Sequence, residues 1–181
     1  MSLDLNSNSI VACIVEGKAE TAVIELLLKN DLLLFKEDNL LSGELIKERK
    51  AEKFAEKYLG KRFDSKVIVL RILDSRSENF NLKKIYQSKC IVYNVITAPE
   101  IEILIIINEH QYERFKKTKN MKASSFCSQV LNIGYKKTKE YWESYFSDIN
   151  DLVAAIKEYD RLSKKSNSKK GNININDLLV S

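Results

Sequence analysis

The chain has 181 residues, 44% of them hydrophobic and 30% charged, with 5 Gly, 1 Pro and a net charge of +5. That is the length of one domain and the composition of a chain that folds, which excludes disordered, collagenous and Pro-rich linker classes. No apolar run approaches the ~20 residues needed to cross a bilayer, and Met1-Ser2-Leu3-Asp4 lacks the basic-then-apolar order of a secretory signal, so a soluble cytoplasmic protein with no membrane partner is expected.

Residues 9–15 (SIVACIV) form a short apolar run rich in β-branched side chains, followed by Glu16-Gly17-Lys18 and a periodic stretch over 19–30. This pattern predicts strand, tight turn and helix, with Ala19, Ala22, Val23, Leu26 and Leu27 on the helical face that packs on a sheet. A short strand is expected over 32–35 and a charged helix over 43–58, resting on Leu45, Phe54, Ala55 and Tyr58. The next buried-type strands are 66–73 (KVIVLRIL), ending at Asp74, and 90–97 (CIVYNVIT), with a polar loop and a short helix through Gln87 between them.

From Pro99 onward the chain reads as helical, over 99–118, 122–132, 138–147 and 148–163, with Ser124 and Asp148 as N-caps. Strands separated by helices predict an α/β fold: a three-layer, mostly parallel sheet with a helical C-terminal extension. The expected organisation is an α/β core over 1–110, a helical extension over 111–163 packed on the same domain, and a polar tail over 164–181 whose Leu178-Leu179-Val180 docks on the body or on a neighbour.

Charge is uneven. Residues 1–110 carry 16 Lys and Arg against 17 Asp and Glu, whereas residues 111–181 carry 14 against 8. A basic C-terminal part suits a phosphate-bearing partner, RNA or DNA, although surface lysines mostly serve solubility. Cys13, Cys90 and Cys127 are odd in number, lack CxxC spacing and sit among apolar residues, which predicts buried thiols. The one histidine, His110, excludes mechanisms that need two and has no nucleophile motif beside it, so hydrolytic chemistry would have to run on carboxylates.

In open parallel sheets ligands bind at the carboxyl ends of the strands. Glu16, Asp74 and the segment containing Glu100 and Glu102 leave the three expected strands at that edge, where they could hold a hard divalent cation. Glu20, one turn after Glu16, joins the candidates or simply favours the helix start. Gly17-Lys18 is not a Walker loop: Ala12 stands where the first glycine is needed and Ala19 where Ser or Thr is needed. Lys18 remains a candidate for an anion at the helix start. Alternation turns Arg71 away from the face of Leu70 and Ile72, so it needs a carboxylate or a phosphate; Glu16, Glu20 or Glu102 is the ordinary partner. Arg76 follows in the loop. Tyr141-Trp142 and Tyr145-Phe146 read as a core stripe in a basic region, with stacking on bases as the functional alternative.

At these residues the chain resembles the TOPRIM-like family, in particular its RloB-type branch. The likeness rests on an apolar strand with Glu16-Gly17-x-x-Glu20, a strand ending in Asp74, and Pro99-x-x-Glu102 before an apolar helix, and it covers about residues 9–110. The resemblance implies Mg²⁺ or Mn²⁺ chemistry on phosphodiesters in nucleic acid, in bacterial defence or nucleic-acid processing. Glu16 would transfer the proton, Asp74 and Glu102 would be catalytic metal ligands with Glu16 and Glu20 beside them, and Lys18, Arg71 and Arg76 would neutralise phosphate. The family expects Asp-x-Asp where this chain has Asp74-Ser75-Arg76, which exchanges a metal ligand for a cation. The alternatives are an inactive nucleic-acid or nucleotide binding module of the same fold, or an accessory subunit of a larger complex that meets a partner protein or a second copy of itself.

Overall fold

The computed structural model describes residues 3, 5, 8–74, 78–163 and 172–180; Arg76 and the polar stretch 164–170 lie outside them. Four parallel strands stand in sequence order, β1 (Val11–Ile14), β2 (Val67–Leu73), β3 (Cys90–Ile96) and β4 (Asn172–Ile173). Every residue of β1 and β2 is buried, as the continuous β-branched runs require of a sheet covered on both faces.

Alternation splits the core in two. Val11, Cys13, Leu70, Ile72, Tyr93 and Val95 face α1 (Lys18–Lys29), α4 (Ile103–Asn108) and α8 (Ile149–Ser163). Ala12, Ile14, Val67 and Val69 face Phe54 and Ala55 of α2 (Ala51–Tyr58) and Leu59 behind it. Burial of each large side chain contributes ~1.5–3 kcal/mol, so the two layers hold the sheet between them. The expected three-layer parallel architecture is thus present.

The helix expected over 43–58 begins only at Ala51. The chain before it serves β1 instead: Leu41 N–H donates to Val11 O at 2.8 Å, Ile46 N–H to Cys13 O at 2.8 Å, and Val15 N–H to Ile46 O at 3.0 Å. A buried strand edge must find partners, and that demand overrides the helical propensity of a charged segment. α3 (Lys84–Gln87) then joins β2 to β3.

The helix expected over 99–118 is also divided. Ala98-Pro99 is a cis peptide and lies outside any helix, and α4 is followed by α5 (Tyr112–Lys117). His110, at φ 55, ends α4: its N–H donates to Ile107 O and that of Gln111 to Ile106 O, the paired bonds of a Schellman stop. α6 (Ala123–Gln129), α7 (Lys139–Tyr145) and α8 follow where helices were expected. Asp148 Oδ1 accepts from Asn150 N–H before α8. Ser124 is not an N-cap; it lies inside α6 and its N–H and Oγ both donate to Glu100 Oε2 at 2.9 Å.

Residues 172–180 add the fourth strand, which the polar pattern of that segment hid. Beyond it Leu33 and Leu179 form an antiparallel bridge, and Leu34 N–H donates to Leu178 O at 2.8 Å. The expected strand over 32–35 is this single bridge, and the tail's Leu178 is fully buried against the body. Cys13, Cys90 and Cys127 are buried free thiols; burial pushes Cys13 and Cys127 up to about 12. Among the described residues no helix is long and apolar enough to cross a membrane.

Candidate functional site

The strand ends carry two polar groups, one on each face of the sheet. Ile14, Arg71, Asn94 and Asn172 stand side by side in the register, at the end where β1 and β2 finish. Arg71 shares the face of Val67 and Val69, so it enters the α2 layer and is only 2% exposed. Its partner is Glu78, not the acids that the sequence offered: Nη2 is 2.9 Å from Glu78 Oε2, Nη1 donates to Asn94 Oδ1 at 3.0 Å, and the guanidinium lies 4.6 Å from the centre of the Phe80 ring. Arg49 bridges Glu78 and Glu16. Two glutamates and two arginines thus alternate in one chain, Glu16, Arg49, Glu78, Arg71. Burial pushes the Glu16 carboxyl up, as do Asp74 and Glu78, while Arg49 opposes them.

The second group lies on the α1 side. Glu102 immediately precedes α4 and is fully buried; Tyr135 OH donates to its Oε1 at 2.5 Å, and Lys137 Nζ lies 3.4 Å from the same oxygen. Glu20, 4% exposed, folds back over the start of α1, and a Cβ at Gly17 would overlap its Oε2. A side chain at position 17 would push the Glu20 carboxylate aside. Glu20 Oε2 and Glu102 Oε2 are both buried with no hydrogen-bond partner among the described residues. Burial raises the Glu20 pKa from its ordinary value, and Glu102 and Asp74 push the same way, while a backbone hydrogen bond and Lys137 oppose them.

A group whose folded pKa is raised favours folding in its protonated form, and that contribution is lost as pH rises through the folded value. Glu20→Gln is therefore expected to equal wild type in stability near pH 4 and to exceed it increasingly toward pH 7. Urea denaturation across this range checks it; a difference that does not change with pH would contradict the assignment.

The three strand-end acids therefore do not share one pocket wall. Alternation sends Glu16 to the α2 side with Arg49, and leaves Glu20 and Glu102 on the α1 side. Asp74, partly buried, is close enough to influence both Glu16 and Glu20. Among the described residues no three His, Cys, Asp or Glu side chains form a group able to hold a metal ion. Glu100, the other acid of that segment, is spent on Ser124.

Two cavities open on this end of the molecule. One, of about 390 Å³, surrounds the start of α1 and is lined by Gly17, Thr21 and Thr138, by three lysines, Lys18, Lys47 and Lys139, and by two carboxylates, Glu16 and Glu140. Gly17 is the N-cap residue and offers no side chain to the first turn, and the Glu20 carboxylate folds over the helix start and accepts a backbone hydrogen bond there. Lys139 also pairs with Glu25 at 2.7 Å. The other cavity, of about 800 Å³, has Asp74 in its wall.

Sequence reading missed Arg49, Glu78, Lys47, Lys137 and Tyr135. Each sits in a loop or at a helix edge, where no periodicity marks it; the unpaired arginine in β2 was the one signal that a distant carboxylate must exist. The Tyr141–Phe146 stripe is core as its spacing implied, with Trp142 and Phe146 buried. No known family model, curated protein or solved structure matches the chain.

Proposed function

We propose that the carboxyl end of this sheet binds a phosphate-bearing ligand, nucleotide or nucleic acid, without a metal ion, as a binding module on a TOPRIM-like framework. The observation that carries this reading is the cavity at the start of α1, where three lysines, Lys18, Lys47 and Lys139, outnumber the two carboxylates of the wall, Glu16 and Glu140. The lysines are point charges that suit phosphate, beside a helix start whose dipole favours negative charge and over which the Glu20 carboxylate lies. Beside the strand ends, Arg49 pairs with Glu16 and Glu78, and Arg71 with Glu78, so these carboxylates are already matched by cations. The basic balance of residues 111–181 supplies further attraction for a polyanion.

Anisotropy of a labelled single-stranded oligonucleotide tests this. Binding is expected at low salt and should weaken steeply toward physiological salt, since each neutralised phosphate releases counterions. Lys18→Glu with Lys47→Glu should reduce affinity at least tenfold with little change in melting temperature, both side chains being exposed. No binding by the wild-type protein at low salt contradicts the reading.

A second reading, Mg²⁺-dependent phosphodiester cleavage, is favoured by the unbonded oxygens of Glu20 and Glu102. These two carboxylates, with Asp74 nearby, would hold the ion, and Mg²⁺ commonly takes its remaining oxygens from water and substrate phosphate. The ion would polarise the scissile phosphate. Nuclease activity that requires Mg²⁺ and disappears in Glu102→Gln would establish this reading in place of the first.

A further inference from the structure

We infer that the 800 Å³ cleft beside Asp74 receives an unpaired nucleobase, guanine before the others, from the bound oligonucleotide. This rests on the preceding reading only in taking the ligand to be nucleic acid. The cleft is assembled from the end of β2, the Ala98-Pro99 turn, α5 and the last turns of α8. Its apolar wall combines Pro99, Ile103 and Leu162 with three aromatic side chains, of which Tyr112 is the most exposed. The Tyr159 ring is 5% exposed and its OH donates to Ala98 O at 2.8 Å, which fixes the ring; Phe115 is 9% exposed beside it. Tyr112 is partly exposed, and Lys116 Nζ lies 5.5 Å from its ring centre.

The two charges in the lining decide the class of ligand. A bare anion would meet the Asp74 carboxylate, and a cationic ligand would meet Lys116. A hydrocarbon would strip water from both without replacing it. A nucleotide matches all three features: an apolar π-face for Tyr112 and its aliphatic neighbours, N–H donors on one edge for Asp74, and a phosphate for Lys116. The volume lies within the range of small-ligand sites.

Among the bases, guanine alone carries two adjacent donors, N1–H and N2–H, that one carboxylate can accept together. Uracil places a single N–H between two carbonyls, while adenine and cytosine place a ring acceptor beside the amino group. These acceptors repel a carboxylate.

The test uses labelled uridine oligonucleotides with guanosine, adenosine or an abasic unit at the centre, bound to the full chain at low salt. Guanosine is expected to bind roughly tenfold tighter than the abasic unit, the scale of one stacked base. Tyr112→Ala should bring that ratio close to one, and Tyr112→Leu, which keeps apolar bulk, gives the same readout should alanine not fold. Asp74→Asn should bring the guanosine-to-adenosine ratio close to one. Equal affinity for guanosine and abasic ligands, with Lys18→Glu and Lys47→Glu together still weakening binding at least tenfold, overturns the cleft assignment and leaves the phosphate reading standing. No binding of any of the three overturns both.

Discussion

Glu78→Ala is expected to lower the unfolding free energy by about 2–4 kcal/mol, below the full cost of breaking a buried pair because Glu78 itself is 29% exposed. The change leaves Arg71, which is almost entirely buried, with Asn94 and the Phe80 ring but no carboxylate, and leaves Arg49 nearby without its second partner. An uncompensated buried guanidinium is the costly species, so the loss should be largely reversed by Arg71→Met in the same chain, which removes the charge while keeping apolar bulk. Urea denaturation of the single and double variants separates the possibilities. If Arg71→Met does not rescue Glu78→Ala, the cost lies elsewhere than in the stranded charge.

Trp142→Ala should cost about 3–5 kcal/mol, the range for deleting a large buried aromatic side chain. Trp142 is fully buried, stacks at 5.8 Å on Phe146, and belongs to the same apolar cluster as Leu70 and Val95 of the sheet. Its Nε1 has no hydrogen-bond partner among the described residues, so packing alone accounts for its contribution. Because α7 lies against α1 and α8 against α4, the loss should appear as an earlier single transition of the whole protein. A separate early transition confined to the helical part would show that residues 111–163 melt independently of the sheet.

The strands around residues 11–14, 67–73 and 90–96 were legible because buried parallel strands are written as unbroken apolar runs. Alternation within β2 was enough to place Arg71 apart from Leu70 and Ile72. What stayed hidden depended on partners far along the chain. The stretch before Ala51 has a helical composition yet pairs with β1, since an open edge of a buried strand is costlier than a lost helical turn. Nothing in the local pattern of 172–173 marks a strand, because only two residues pair and β3 supplies the template. The break after α4 rests on one residue, His110, taking a left-handed conformation that its neighbours do not announce. The site followed the same division: its acids were readable from strand ends, whereas Arg49 and Glu78, which decide what those acids do, reach them from distant loops.

Oligonucleotide binding measured in parallel with excess chelator and with Mg²⁺ tests the metal-free character of the site most directly. Because Lys18, Lys47 and Lys139 supply fixed positive charge around the start of α1, affinity in chelator should equal or exceed that in Mg²⁺, the ion acting only as a screening salt, and the oligonucleotide should remain intact in both. Binding that appears only when Mg²⁺ is added, or strand cleavage that chelator stops, would contradict a metal-free phosphate site and place the carboxylates of Glu20, Glu102 and Asp74 at the centre of the function instead.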